Sequence, residues 1–191
     1  MKFTQIPADT LSELQMNAGV LTDEFTVATG TIGTILGATT GGANFKATPE
    51  YVDLGEDIDN CPKNTKELKK LNTWTATLSG TFLTVDAAAV KSLLGAADVS
   101  SDHVTPRVDL ASGDFDDVWW VGDYSDKNGA TNGGYIAIHM MNALNTAGFQ
   151  IQSTDKGKGQ FAFEYTAHYS TSALTTVPFE VYVHAGTAEP T

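Results

Sequence analysis

Two long stretches of the chain alternate polar and apolar side chains almost without interruption. Residues 73–81 read Thr-Trp-Thr-Ala-Thr-Leu-Ser-Gly-Thr, and residues 160–170 read Gln-Phe-Ala-Phe-Glu-Tyr-Thr-Ala-His-Tyr-Ser. Successive side chains of a β-strand point to opposite faces, so this period of two predicts strands with one dry face and one polar face. The polar face carries mainly hydroxyls and amides, which is typical of a broad wetted sheet and not of an enzyme pocket.

Shorter apolar runs predict the rest of the secondary structure. Strands are predicted at residues 24–30, 45–54, 73–85, 103–110, 115–121, 135–144, 149–152, 160–170 and 179–184. Pro49 places the second of these at a sheet edge or a bulge. Asp86 is the predicted N-cap of one short helix, Ala87–Leu94, which ends at Gly95. Together these elements predict a mainly-β fold, a two-sheet antiparallel sandwich or barrel with one flanking short helix.

The length of 191 residues predicts a single domain spanning residues 1–191. Within it, residues 1–22 are expected to be an N-terminal arm, with a weak helix at residues 8–17 as the alternative, and residues 185–191 a C-terminal tail. The single cysteine, Cys61, excludes an intramolecular disulfide. Because no run of 18 apolar residues and no leader pattern are present, we expect a chain made in the cytoplasm without a membrane anchor.

A long inter-strand loop, residues 55–72, has an unusual order of charges. A loop of about 18 residues is longer than most connections between strands, and this length indicates a functional or mobile segment. Four acids in and just before the loop precede four of the chain's 11 basic residues: Asp53, Glu56, Asp57 and Asp59, then Lys63, Lys66, Lys69 and Lys70. Asn64 followed by Glu67 is a weak signal for one helical turn.

The chain is strongly acidic, with 23 acidic residues, 11 basic residues and a net charge of −12. Binding to phosphates depends on Lys and Arg, so tight nucleic-acid binding is unfavourable. An acidic surface repels DNA and leaves it free to move; taken alone, the same charge is equally explained by solubility.

The sequence motifs of common catalytic and cofactor-binding sites are incomplete in this chain, so we expect neither enzymatic activity nor a cofactor. There is no Gly-x-Ser-x-Gly, and the glycine-rich residues 37–42 lack the lysine of a phosphate-binding loop. The histidines and Cys61 lack metal-ligand spacing. Residues 126–129 resemble part of a calcium loop, but Tyr124 and Tyr135 stand where acids are needed. A looser calcium site stays open as an alternative: Asp114, Asp116, Asp117 and Asp123.

Trp119 and Trp120 are adjacent, so they lie on opposite faces of one predicted strand. One is expected in the core, and the other on a face covered by a helix, a second sheet or a partner chain. The competing hypothesis is that one of them is a platform on which a sugar stacks.

Several segments together resemble a known family. They are residues 47–57 (Ala-Thr-Pro-Glu-Tyr-Val-Asp-Leu-Gly-Glu-Asp), residues 66–71 (Lys-Glu-Leu-Lys-Lys-Leu) with Trp74, residues 118–124 (Val-Trp-Trp-Val-Gly-Asp-Tyr), residues 155–161 and residues 177–182. The pattern resembles the major tail protein, or tail tube protein, of long-tailed bacteriophages, particularly siphophages of Gram-positive bacteria. It covers most of residues 45–185.

The resemblance implies a structural virion protein that self-assembles. Six subunits would form a ring, one sheet from each would join a continuous barrel around a channel, and the rings would stack into a tail tube through which DNA leaves the capsid. The implied partners are other copies of the chain, the tape measure protein, the tail terminator and the distal tail or baseplate proteins. The implied location is the virion tail, after synthesis in the host cytoplasm. The alternative is a virion-surface or carbohydrate-binding β-sandwich module.

Two sets of residues are candidates for these surfaces. The inter-ring candidates belong to the charged loop, because complementary charges there suit the stacking of identical rings: Asp53, Glu56, Asp57, Asp59, Lys63, Lys66, Leu68, Lys69, Lys70 and Leu71. The lumen-lining candidates are the polar strand faces, which lack Lys and Arg: Thr73, Thr75, Thr77, Ser79 and Thr81, and Gln160, Glu164, Thr166, His168 and Ser170. The same faces could also be the outer surface or be covered by the helix.

Overall fold

The computed structural model describes residues 6–125, 127 and 133–187. The strands over these residues are β1 (Gln15–Thr22), β2 (Phe25–Thr26), β3 (Thr31–Ile32), β4 (Thr39–Asp53), β5 (Lys69–Phe82), β6 (Ala97–Ser100), β7 (His103–Pro106), β8 (Asp116–Tyr124), β9 (Tyr135–Asn145), β10 (Gln150–Gln152), β11 (Gln160–Thr166) and β12 (Phe179–His184). The α-helix is α1 (Ala87–Leu94), and short 3₁₀ turns lie at Leu11–Glu13, Lys66–Leu68 and Ser112–Asp114. The predicted mainly-β class is confirmed. Parts of three predicted segments lie outside the described residues. They are residues 1–5 of the arm, residues 188–191 of the tail, and residues 126, 128 and 129 of the calcium-loop segment.

Two antiparallel layers of four strands pack against each other. One layer, the β9 sheet, has the order β1-β8-β9-β12, and the other, the β5 sheet, has the order β10-β11-β5-β4. The layers are hydrogen-bonded to each other where Leu144 and Asn145 at the end of β9 pair with Thr166 and Tyr165. Strand β9 therefore belongs to both layers, and the whole is a mainly-β sandwich whose sheets form one continuous path.

The core lies between the two layers and is built from alternate residues of each strand. From the β5 sheet come Ala76, Leu78 and Phe82 of β5 and Phe163 and Tyr165 of β11. The β9 sheet supplies Leu21, Val118, Trp120, Ile138, Met140 and Ala143. Full burial of one large apolar side chain stabilises the fold by about 1.5–3 kcal/mol. The alternate apolar residues of β5 and β11 are the ones buried in this core, which accounts for the period of two in their sequences.

Helix α1 forms where it was predicted and closes one end of the sandwich. The Asp86 carboxylate accepts a hydrogen bond from the Ala89 amide at 2.8 Å, which is the expected N-cap. Leu93 enters the core, and the Ser92 hydroxyl lies 2.9 Å from that of Tyr165. Because the helix packs on the core side, it does not cover the polar side of β5 and β11.

The prediction of an N-terminal arm through residue 22 is wrong for residues 15–22, which form β1 and pair with β8. The strand bulges between Met16 and Val20, and this bulge removes the period of two that would have revealed it. The Trp120 indole donates to the Ala18 carbonyl at 3.0 Å inside the bulge. Gly19 has φ +69°, and a Cβ there would lie 2.6 Å from the indole, so glycine is required.

Several strands begin or end at residues other than those predicted. Strand β4 begins at Thr39 and β5 at Lys69, earlier than predicted, because the two pair as one long hairpin. Residues 69–72 show no alternation of polar and apolar side chains, since both faces of β5 are exposed there. The predicted strand at residues 24–30 shortens to β2, and the next turn pairs it with β3. The strand predicted at 103–110 ends at Pro106, where Arg107 turns to bind Asp98 and Asp114.

Strand β11 ends at Thr166 and not at Ser170, and a bulge in the neighbouring β9 explains this. Asn142 has a positive φ of 48°, and its amide donates to the Asp117 carboxylate at 3.0 Å. The register of β8 against β9 shifts at this point. Beyond Thr166 the chain makes only separate hydrogen bonds, such as that from the Ala167 amide to the Ala76 carbonyl at 3.0 Å.

We expect Phe163→Ala to lower the free energy of unfolding by about 3–5 kcal/mol, because the ring is 2% exposed and packs on Phe82 at 4.5 Å between centroids. Ile151→Ala, at a site 59% exposed, should cost much less. Chemical denaturation of both variants checks this, and equal losses would contradict the core assignment.

Candidate assembly and channel surfaces

The two predicted sets of polar strand residues lie side by side on one face of the β5 sheet. In the ladder, Glu164 of β11 is opposite Ser79 of β5, and Thr166 is opposite Thr77. The other polar members of this face on the same two strands are Thr73, Thr75, Thr81 and Gln160. The alternation that buries Leu78 and Phe163 therefore turns these hydroxyls, the amide and the carboxylate away from the core. We call this surface the polar face.

Strand β4 and strand β10 extend the polar face on either side. Asn44, Lys46 and Thr48 of β4 lie opposite Ser79, Thr77 and Thr75, and Gln150 and Gln152 of β10 lie opposite Ala162 and Gln160. The two predicted sets lack Lys and Arg, but the assembled face does contain one cation, Lys46. Sequence reasoning missed it because the strand predicted at residues 45–54 was not placed beside β5.

His168 and Ser170 were predicted on the polar face, but neither lies in β11. The His168 ring packs edge-on against Phe115 at 5.3 Å between centroids, and its Nδ1 lies 3.1 Å from the Asn142 carbonyl. Ser170 bonds to Ser172 in the loop that follows. The bulge at Asn142 ends the regular ladder before both residues, so the predicted period of two no longer applies to them.

The β4–β5 hairpin is longer than the sheet that carries it. Only Thr77–Phe82 of β5 pair with β11, whereas Lys69–Ala76 pair among the described strands with β4 alone. The far end of the hairpin, residues 49–74, is therefore a two-stranded ribbon with a folded tip; we call residues 54–68 the tip. A two-stranded ribbon is marginally stable by itself in water, so this one is suited to packing against another surface.

Asp53 organises the tip from within the subunit. Its carboxylate accepts hydrogen bonds from the Gly55 amide at 3.0 Å and the Asn64 amide at 2.8 Å. The amide of Asn64 first, and then that of Gly55, lower the pKa of this carboxyl below its ordinary value. The Lys69 ammonium donates to the Asn64 side chain at 2.7 Å and lies 5.8 Å from the centre of the Tyr51 ring. Asp53 and Lys69, both predicted inter-ring contacts, therefore have structural roles within the subunit, at the base of the tip.

The remaining predicted inter-ring residues differ in exposure. Glu56 and Lys63 form an exposed ion pair at 3.5 Å, which contributes little to stability. Leu68 is half-buried and faces Gly55. The side chains of Asp57, Asp59, Lys66, Lys70 and Leu71 are exposed. These five are the members of the predicted set that are free to meet another molecule.

The predicted inter-ring set included Leu71 but missed the apolar side chains between Tyr51 and Ile58. Large apolar groups are exposed here on strands and tip alike: Tyr51, Val52, Leu54 and Ile58, together with Leu71. Tyr51 and Leu71 lie opposite each other in the ladder. The signal was the run of apolar residues from Tyr51 to Ile58 between the acids, which the charge pattern obscured. Such a concentration of exposed apolar groups marks an interaction surface.

Both tryptophans in question are buried, Trp119 to 8% exposure and Trp120 to 9%. Trp120 is in the main core, and Trp119 is on the opposite face of the β9 sheet, beneath Phe25 of the β2–β3 hairpin at 5.7 Å. The His139 ring stacks on Trp119 at 3.9 Å, and its Nε2 lies 2.9 Å from Asp117. Neither indole has the open face that stacking on a sugar requires.

The alternative calcium site is not assembled. Asp114 binds Arg107 and the Ala111 amide, Asp117 binds His139 and the Asn142 amide, and Asp123 binds Asn17. These carboxylates are committed to separate partners, and the residues that the structure describes contain no group of three or more potential metal ligands.

Neither protein-family models nor curated protein sequences match this chain. Among the described residues, no helix is long and apolar enough to cross a membrane.

The bonds made by Asp53 predict a local dependence on pH. Its folded-state pKa is lowered from 3.8, so the carboxylate stabilises the tip above that value, and this stabilisation is lost as the pH falls through the lower folded pKa. In an NMR titration, the Gly55 and Asn64 amide signals should shift together below pH 3.8. In Asp53→Asn this transition should vanish. A transition that persists in the variant would assign it to another group.

Proposed function

We propose that this chain is a structural subunit that assembles with copies of itself into stacked hexameric rings, forming the tail tube of a bacteriophage, the conduit through which DNA passes into the host. The number of six per ring and the phage context rest on the resemblance in sequence. The observation that carries the proposal is the β5 sheet, which has an exposed polar face and two open edges.

The open edges support joining of sheets between subunits. Among the described strands, β4 pairs only with β5, and β10 pairs only with β11. Strand β4 is 15 residues long, and a long open edge is a liability that proteins relieve by pairing or covering it. Because the four strands alternate in direction, β4 of one subunit is antiparallel to β10 of a neighbour related by rotation about the tube axis. Copies can therefore close into a ring in which every pair of strands between neighbouring subunits is antiparallel.

The chemistry of the polar face suits a channel for DNA. Lys46 is accompanied by Glu50 and Glu164, and the other polar members are hydroxyls and amides, with the small side chain of Ala162 between them. A phosphate moving past such a lining meets water and neutral groups, with little net charge to hold it. The chain's net charge of −12 also weakens the attraction of the tube for DNA phosphates.

The ribbon supports stacking of one ring on the next. It extends beyond the sheet and carries the exposed apolar groups Tyr51, Leu54 and Ile58 next to exposed charges. Exposed ion pairs contribute only about 0–1 kcal/mol each, so these apolar groups must supply most of the stacking energy. The partners implied by the resemblance, namely the tape measure protein, the tail terminator and the distal tail or baseplate proteins, would meet the ends or the inside of such a tube.

Self-assembly is the direct test. Analytical ultracentrifugation and electron microscopy at rising protein concentration should show rings with a central hole and then tubes. Ile151→Lys should prevent ring closure while leaving the subunit folded, because Ile151 lies opposite Phe161 on the core side of the β10 edge, and a charge pointing inward there blocks pairing of edges.

The matched control is Leu174→Lys, which places the same charge at a site 69% exposed in the loop before β12. This variant should assemble normally. A wild-type chain that stays monomeric at every concentration would overturn the proposed function, and rings formed by Ile151→Lys would exclude the β10 edge.

The polar face should line the lumen. Tubes of a Thr75→Lys, Thr77→Lys and Glu164→Lys variant should therefore retain short duplex DNA in a form protected from nuclease. Retention should fall steeply with salt, because each phosphate contact releases counterions. Wild-type tubes should retain none, and DNA delivery by phage carrying the variant should slow.

The control is a variant with three cations on the β2–β3 hairpin, which covers the opposite side of the sandwich. Its substitutions are Thr26→Lys, Ala28→Lys and Thr31→Lys. Duplex bound by these tubes should be digested. Protection by the hairpin variant and not by the polar-face variant would reverse the assignment of inside and outside.

A further inference from the structure

A groove runs beside helix α1, at the end of the sandwich away from the tip. Its volume is about 400 Å³, and Tyr165 and Phe82 lie in its wall. Apolar contacts are offered by Ile35, which is 50% exposed, and by Leu36 and Ala88. Asp23, Asp86 and Asp116 also line it. We call it the α1 groove.

Its acidic groups can accept further hydrogen bonds. Asp23 binds the Thr34 amide at 2.7 Å through Oδ1, and Asp86 binds the Ala89 amide through Oδ1. These bonds leave the Oδ2 atom of each carboxylate for an incoming donor. Asp116 is exposed at the start of β8. An apolar groove with carboxylates around it suits a segment that carries both alkyl groups and ammonium groups.

The chain itself contains one segment of that kind. Residues 60–71 have four lysines and one glutamate, a net charge of +3, while the other 22 acidic and 7 basic residues give the rest of the chain −15. Lys66, Lys70 and Leu71 of this segment are exposed. In a chain that otherwise repels itself, this segment is complementary in charge to the α1 groove.

The segment and the groove lie at opposite ends of the same strand. Strand β5 begins with Lys69 in the segment and ends with Phe82 in the wall of the groove. At about 3.3 Å per residue, the two are roughly 43 Å apart, so one subunit cannot fill its own groove. A shift of one copy along the direction of β5 brings its segment to the groove of another copy, a head-to-tail contact that does not close.

We infer that the α1 groove is the receptor for residues 60–71 of a second copy of this chain. This inference rests on the proposed function, and it adds the surface on which the ribbon of one ring docks in the next. Lys66 and Lys70 meet the carboxylates of Asp86 and Asp116, and Leu71 packs against Ile35 and Ala88.

Cysteine cross-linking tests the contact. In a Cys61→Ser background, tubes formed from equal amounts of Lys66→Cys and Ala88→Cys subunits should give disulfide-linked dimers on mild oxidation. A chain carrying both substitutions should give a ladder of higher species. The control pair, Lys66→Cys with Thr31→Cys, places the second thiol on the β2–β3 hairpin and should give neither product.

Charge exchange gives an independent readout. Lys66→Glu with Lys70→Glu should raise the concentration needed for tube growth about tenfold or more, with the subunit still folded by circular dichroism. Asp116→Lys with Ala88→Lys should do the same, and all four changes together should restore growth. Lys69 is left unchanged because it binds Asn64 within the tip.

The outcomes separate this inference from the proposed function. Absence of rings and tubes from the wild-type chain would overturn both. Normal wild-type tubes that give no Lys66→Cys to Ala88→Cys product, or in which the control pair links equally well, would overturn only the docking site. Failure of the four-fold variant to recover growth would count against the pairing of charges.

Discussion

The burial of one side of strand β5 is the constraint on which the rest of the structure depends. β5 is a central strand of its sheet, and Ala76, Leu78 and Phe82 are almost inaccessible to water against the β9 sheet. Because the side-chain period is two, burying these residues forces the intervening hydroxyls outward, and a slip of one residue would exchange the two sets. The pairing of β11 with β5 then fixes the same orientation for Glu164 and Thr166. The polar face is thus a direct result of core packing.

The irregular positions determine how the two layers meet. Strand β9 pairs with β8 and β12 along most of its length and with β11 at its end, so it must bend between the layers. The bulge at Asn142 increases the local twist, and the Asp117 carboxylate holds the bulge by binding the Asn142 amide and His139. The bulge in β1 wraps the edge of Trp120. Both features close the sandwich around its core, and both interrupt the alternation by which strands are recognised.

The parts of the fold that follow from local rules were predictable from the sequence. Helix α1 has its cap in Asp86, β12 has a short apolar run, and the faces of β5 and β11 follow from alternation. Strand β1 was not predictable, because its pairing depends on Trp120, about 100 residues away. The internal roles of Asp53 and Lys69 were hidden for a related reason: a charge pattern does not reveal which charges a turn uses for itself. The exposed apolar groups between Tyr51 and Ile58 became apparent only when the pairing of β4 with β5 was known.

The ribbon is joined to the sandwich by its two strands, and its tip is built from its own backbone and side chains. Changes at Asp57, Asp59 or Lys66 therefore leave the core untouched. At the tip, mutations that would be selected for association are therefore separate from mutations of the core that would be selected for folding. Related proteins can therefore change their binding partners while they keep the same fold. For the same reason the tip is a suitable place to graft a foreign peptide, since a loop that carries little of the folding free energy tolerates added residues at a small entropic cost.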